Sequence, residues 1–136
     1  MKVKLDNGAF MPERSHPLDA GLDLRAPYSF TIRSGGREDV DTGVHVEIPT
    51  GYFGLISSKS GLMVEHGLKN DGIIDSNYRG SIHAVLFNNS KHDVDINVGD
   101  KITQLIIVPC EFFDLEQVNE LSPTDRGENG FGSTGR

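Results

Sequence analysis

Two aspartates stand where a carboxylate could work on a phosphate. In LDAGLDLRA (18–26), Asp23 lies between Leu22 and Leu24, and strand alternation turns it to the opposite face from both. There it is either solvated or set toward a cleft. In GIIDSNYRG (72–80), Asp75 follows two β-branched residues and precedes two small turn formers, Tyr78 and a glycine. That order reads as a hairpin with a carboxylate near its bend. Turn aspartates usually bond their own backbone, so Asp75 by itself is a turn residue before it is a base. In SSKSGL (57–62), Lys59 and Ser60 come at the start of a short helical stretch, where free N–H groups and the positive dipole end suit an anion. In GDKITQLI (99–106), Gln104 interrupts an apolar strand and needs a buried partner or a ligand. The chain ends RGENGFGSTGR (126–136), with four glycines around a lone Phe131. A glycine-rich backbone can press its N–H groups around a phosphate, although such a tail alone also fits a linker.

Composition narrows the ligand. The formal net charge of −7 opposes broad binding to nucleic acid or to anionic membranes. Small phosphates remain, provided that basic and N–H groups converge locally. The five histidines (16, 45, 66, 83, 92) show no HxxxH spacing, and one cysteine cannot build a zinc cluster. His45 and His83 fall within strand patterns and read as surface or pocket-edge residues. Cys110, alone at the end of QLIIVPC, excludes an intrachain disulfide and makes a reducing, cytoplasmic compartment the expectation. It reads as an inert thiol, buried or half-buried. No apolar run approaches the ~20 residues of a membrane span, and MKVKLDNGAF lacks the apolar stretch of a signal peptide.

The elements that must position these residues are mostly strands. Segments 22–26, 28–33, 43–48, 81–88, 93–98 and 101–108 alternate or are β-branched. Turn signals separate them at 34–36, 49–51, 88–93 and 98–100. Short strands at this spacing predict an all-β sandwich, jelly roll or barrel. A further strand ends in GLISSK, and SGLMVEHG (60–67) after it predicts one to two helical turns, with Ser60 as N-cap and Gly67 as the stop. With 136 residues, the chain fits one domain of ordinary core size. Residues 1–122 would form it. Residues 123–136 hold one large apolar residue and no strand pattern, and read as a mobile tail.

Taken in order, AGLDLRA, SKSGL, GIIDSNYRG, GDKITQLI and RGENGFGSTG resemble the motif set of the homotrimeric dUTPases, over residues 20 to 135. The resemblance implies a jelly-roll-like β-clip subunit with one short helix. It implies a threefold trimer whose active sites lie between subunits, and hydrolysis of dUTP to dUMP and pyrophosphate with Mg²⁺ on the triphosphate. That reaction keeps uracil out of DNA and supplies the dUMP precursor of thymidylate. Asp75 then matches the acid that orients and deprotonates the attacking water; a carboxylate is a weak base, so placing the water matters as much. Asp23 matches an acid that reaches Mg²⁺ through water. Lys59, Ser60, Gly61 and Gln104 match phosphate contacts. The backbone of Gly72, Ile73 and Ile74, with Asn70 beside it, would read uracil, and Tyr78 would leave no room for a 2′-hydroxyl. Arg126, Gly132, Ser133 and Thr134 would hold the phosphates under a closing tail, with Phe131 stacked on the base.

Two departures stand out. Ser58-Lys59 replaces the usual Pro-Arg, keeping the charge without the planar fork. Asn129 stands where glycine is common; asparagine tolerates a left-handed backbone better than most residues, so the loop is expected to survive. Two other readings compete: a dCTP deaminase-like enzyme of the same fold, and a non-catalytic regulatory binding module. SKSGL with GFGSTG favours the dUTPase.

Overall fold

The computed structural model describes residues 1–130. Twelve elements follow one another: β1 (Lys2–Leu5), β2 (Gly21–Arg25), β3 (Phe30–Ile32), β4 (Arg37–Asp41), β5 (Val44–Glu47), β6 (Tyr52–Ser58), α1 (Ser60–His66), β7 (Leu68–Lys69), β8 (Asp71–Ile74), β9 (His83–Asn88), β10 (Val94–Ile96) and β11 (Lys101–Pro109). The described chain is thus all-β with one short helix, as the period-two pattern predicts. Among the described residues, no helix is long and apolar enough to cross a membrane.

The strands pair antiparallel in sheets ordered β2-β11-β6-β8 and β4-β9-β7, with two-stranded pairs β1-β5 and β3-β10. Alternation supplies two apolar clusters. Leu24, Val44, Val46, Ile48, Ile56, Ile82 and Leu105 form one, beneath the four-stranded sheet. Ala26, Ile32, Val40, Leu68, Ala84, Leu86, Val94, Ile96 and Ile102 form the other, around β9. Burial of this kind contributes roughly 1.5–3 kcal/mol for each large aliphatic side chain. In β11 the register shifts between Lys101 and Thr103. The irregularity allows neighbours Ile102 and Thr103 both to be buried, where strict alternation would expose one of them.

Several boundaries differ from the sequence reading. The strand expected over 28–33 shrinks to Phe30–Ile32. β4, Arg-Glu-Asp-Val-Asp, carries a single buried side chain, Val40, too few apolar positions to show a period. The segment 72–80 is not a hairpin: β8 pairs with β6, whereas β9 pairs with β4 and β7. The chain crosses from one sheet to the other through residues 75–82. The helix spans Ser60–His66, but its N-cap is Lys59, which makes no side-chain cap, so Ser60 is the first helical residue. Gly67 closes the helix at φ 66°, a left-handed backbone that favours glycine.

Candidate active site

Asp23 lies at the centre of a buried charge network. It is 3% exposed, because Leu24 faces the core on one side of β2 while residues 13–15 cover the other. Glu13 and Asp23 exchange backbone hydrogen bonds at 2.8 and 3.4 Å. Lys59 Nζ lies 2.5 Å from Asp23 Oδ1, and Lys101 Nζ lies 2.8 Å from Oδ2. Ser15 Oγ donates to the same Oδ2 at 2.8 Å and accepts from Lys101 at 2.7 Å. Burial opposes ionisation of this carboxyl, but hydrogen bonds from Lys101, Lys59 and Ser15 outweigh it and hold the pKa below its ordinary value. Asp23 is therefore not simply solvated. Ser15 and Lys101 were not legible as its partners, since neither residue type signals a contact so distant in sequence.

The strand order brings three segments to this place. Gln104 of β11 pairs with Asp23 of β2 on one side and with Ser57 of β6 on the other. Its side-chain Nε2 donates to the Ser58 carbonyl at 3.2 Å, which is the partner that its apolar strand demanded. Gly21 makes room for it: a Cβ there would run into the Gln104 amide. At the end of β6 the chain turns through Lys59 into α1, where Ser60 and Gly61 are exposed. Space beside Gly61 is open, with nothing within 4 Å of where its Cβ would stand.

The segment of Asn70 to Tyr78 runs away from this cluster. Ser58 Oγ clamps the Asn70 backbone, donating to its carbonyl at 2.9 Å and accepting from its N–H at 2.8 Å. The Asn70 side chain is buried, and among the described residues neither end of its amide finds a hydrogen-bond partner. A buried amide left so is costly without a ligand or water. Beside it, Ser58, Met63, Lys69, Asp71, Phe87 and Asn89 line a cleft of about 440 Å³. Gly72, Ile73 and Ile74 lie along β8, with Ile73 67% exposed. Asp75 and Tyr78 close a turn, the Tyr78 N–H donating to the Asp75 carbonyl at 3.0 Å. Asp75 itself is exposed, beside a cleft of about 300 Å³ with Tyr52, Phe53, Cys110 and Phe112. The Tyr78 ring lies over Gly80, and its hydroxyl donates to the Ser81 carbonyl at 3.1 Å.

Asp75 and Gln104 stand far apart within the chain. Ser57 of β6 pairs with Gln104, while Gly54 pairs with Ile74, the residue before Asp75. Four strand positions at ~3.3 Å each put them about 13 Å apart along the strands, and roughly 10 Å apart across the intervening β6. The cluster of Asp23, Lys59 and Gln104 thus comes together, and Asp75 with Tyr78 does not join it.

In the last described stretch, Arg126 Nε donates to the Asn129 carbonyl at 3.0 Å. Asn129 keeps a negative φ, so the turn does not call on the left-handed backbone that asparagine tolerates. Among the described residues only glycines have positive φ, and here Gly127 does, at 52°. The expectations for Phe131, Gly132, Ser133 and Thr134 fall outside the described residues.

Comparison with known proteins bears on this arrangement. The dUTPase family model matches residues 7–135. The deoxyuridine 5′-triphosphate nucleotidohydrolase of variola virus is 41% identical over 133 residues, covering 98% of this chain and 90% of that protein. The Staphylococcus bacteriophage 80alpha dUTPase, solved with dUpNHpp, superposes with a TM-score of 0.93 at 32% identity, covering 99% of this chain and 98% of that one. A dUTPase variant from phage phi11 of S. aureus, solved to describe the coordination of a structural Mg(II) ion, superposes with a TM-score of 0.81 at 31% identity, over 88% and 96% of the two chains.

Proposed function

The chain belongs to the dUTPase family, and from that premise we propose that it hydrolyses dUTP to dUMP and pyrophosphate in sites shared between the subunits of a homotrimer. The observation that carries the shared site is the separation of Asp75 from Gln104 and Lys59 within one chain. A water-orienting carboxylate and the phosphate contacts must reach the same phosphorus. A site built from neighbouring subunits brings them together; the lone subunit does not.

In this reading Asp75 holds a water in line with the α-phosphorus and takes its proton as the new P–O bond forms. The bond from the α-phosphorus to the bridging oxygen breaks, and pyrophosphate leaves with the electron pair. Ser60, Gly61, Lys59 and Gln104 hold the phosphates around that bond. The backbone of Gly72, Ile73 and Ile74, together with Asn70, reads uracil; the unpartnered Asn70 amide supports this. Tyr78 packs beneath the sugar. Residues 123–136 form a segment that covers the bound nucleotide, with Arg126, Gly132, Ser133 and Thr134 on phosphate and Phe131 on the base. The substrate class fits a cytoplasmic location.

The residues suit a metal that arrives on the triphosphate. Among the described residues, no three His, Cys, Asp or Glu side chains gather to hold an ion. An ionised carboxylate offers about four lone-pair sites. Lys59, Lys101 and Ser15 occupy three of those on Asp23, which leaves one for a metal-bound water. Mg²⁺ bound to the phosphates would neutralise charge developing on the leaving pyrophosphate. The deciding experiment is turnover of dUTP with Mg²⁺, assayed as pyrophosphate release, beside ammonia release from dCTP. Pyrophosphate without ammonia is expected, and ammonia release would favour the deaminase reading.

A further inference from the structure

His45 of β5 has acceptors against both ring nitrogens. Nδ1 lies 2.8 Å from the Arg79 carbonyl oxygen, and Nε2 lies 3.0 Å from Asp6 Oδ2. A neutral imidazole has one N–H and can satisfy one of these; the imidazolium donates to both. The ring is largely enclosed, with 17% of the side chain exposed.

The Arg79 carbonyl belongs to the turn that carries Asp75 and Tyr78. That turn is otherwise tied to itself. Tyr78 N–H donates to the Asp75 carbonyl, and the Arg79 guanidinium folds back onto the carbonyls of Ser76 and Tyr78 at 2.7 and 2.8 Å. Ser81, just beyond, donates to Asp41. Among the described residues, the His45 contact is the one hydrogen bond that reaches residues 75–80 from outside the segment 75–81. We infer that His45, protonated between Asp6 and the Arg79 carbonyl, is a positioning residue that holds the Asp75–Tyr78 turn in place for the reaction. The inference rests on the reading of Asp75 as the catalytic carboxylate.

The charged groups around the ring agree with this. Asp6 favours the imidazolium first by its hydrogen bond, and the Arg79 carbonyl adds to that. Burial opposes it, as does Lys4, which lies opposite His45 on β1 with its Nζ 3.5 Å from Asp6 Oδ1. Glu47, further along β5, is engaged by Lys2 at 3.0 Å. The net effect raises the His45 pKa above the ordinary value of 6.5. The doubly bonded ring is therefore present below that value. It is lost as pH rises through the raised folded value, when two acceptors are left to compete for one N–H.

The test measures kcat and KM for dUTP with Mg²⁺, from about pH 5.5 to about pH 9, in the full-length protein and three variants. In the wild type, kcat should fall as His45 loses its proton. His45→Val should lower kcat by roughly 5–100-fold, the scale of a small misplacement, move KM less, and remove that alkaline limb. His45→Asn places an amide N–H near the position of Nδ1 and should restore most of the rate without restoring the limb. Asp6→Asn should shift the limb to lower pH. Wild-type kcat and pH profile in His45→Val would overturn the inference. Should the wild type not turn over dUTP at all, the functional reading fails instead, and hydrogen exchange of the amides of residues 75–80 decides the positioning. Exchange should quicken in His45→Val, and unchanged protection overturns the role.

Discussion

Lys59 Nζ lies 2.5 Å from Asp23 Oδ1 although β11 runs between their strands. The lysine follows the end of β6, reaches across β11 and meets a carboxylate in the middle of β2. Lys101 of β11 meets the same carboxylate from its other oxygen. Three strands are thereby pinned at one point, and that point carries three of the five motif segments.

The pin has a pH signature. A folded pKa held below the ordinary value of 3.8 contributes stability that is present above that value and is lost as pH falls through the folded one. Asp23→Asn should destabilise the protein by about 1.5–3 kcal/mol near neutral pH, the scale of hydrogen bonds to a charged group. The gap should narrow in strong acid, where the wild type loses the same charge. Urea midpoints near neutrality and near pH 3 check this; an equal gap at both would count against the charged network.

Asp75→Asn should keep nucleotide binding and lose ~10²–10⁴ in turnover, the usual scale for a positioned base. Its exposure on the turn means that stability should hardly change. Turnover within a few-fold of the wild type would return Asp75 to the status of a turn residue.

Tyr78→Ala should relax discrimination between dUTP and UTP. The ring is held over Gly80 by its hydroxyl bond to Ser81, so its bulk stands in a defined place. The ratio of kcat/KM for the two nucleotides, measured in each protein, is the readout, and an unchanged ratio rejects the steric role.

Mixing subunits tests the shared site directly. Asp75→Asn and Gln104→Ala should each be poorly active alone. When they are unfolded together and reassembled, some sites would draw an intact Asp75 from one subunit and an intact Gln104 from another. Activity should then exceed that of either parent. If both residues served a site within one chain, mixing would recover nothing.

Removing residues 123–136 should leave the fold and the assembly intact while sharply lowering activity. Among the described residues, none of the buried core side chains lies beyond Leu105, so the described core does not draw on that segment. Phe131→Ala should be milder, roughly 5–150-fold if base stacking on an aromatic ring is worth ~1–3 kcal/mol. Full activity in the truncated protein would remove its covering role.

The order of the motifs, and with it the family, was legible in the residues, because each motif needs only its own few side chains. Period-two alternation likewise marked β2, β5, β9, β10 and β11, since a strand with one buried face writes that face into its sequence. β4 did not show, because a single buried Val40 carries no period. Ser60 looked like an N-cap by residue type, but the cap is set by where the backbone leaves β6, one residue earlier. Strand partners were decided by tertiary structure alone. GIIDSNYRG has the local chemistry of a hairpin, yet β8 pairs with β6 and β9 turns to another sheet. Asp23 shows the same division. Its place between two leucines predicted a face, but whether that face met solvent depended on Ser15, Lys59 and Lys101, which come from three other parts of the chain. A carboxylate's burial and charge state are properties of everything packed around it, and local sequence records only the neighbours on either side.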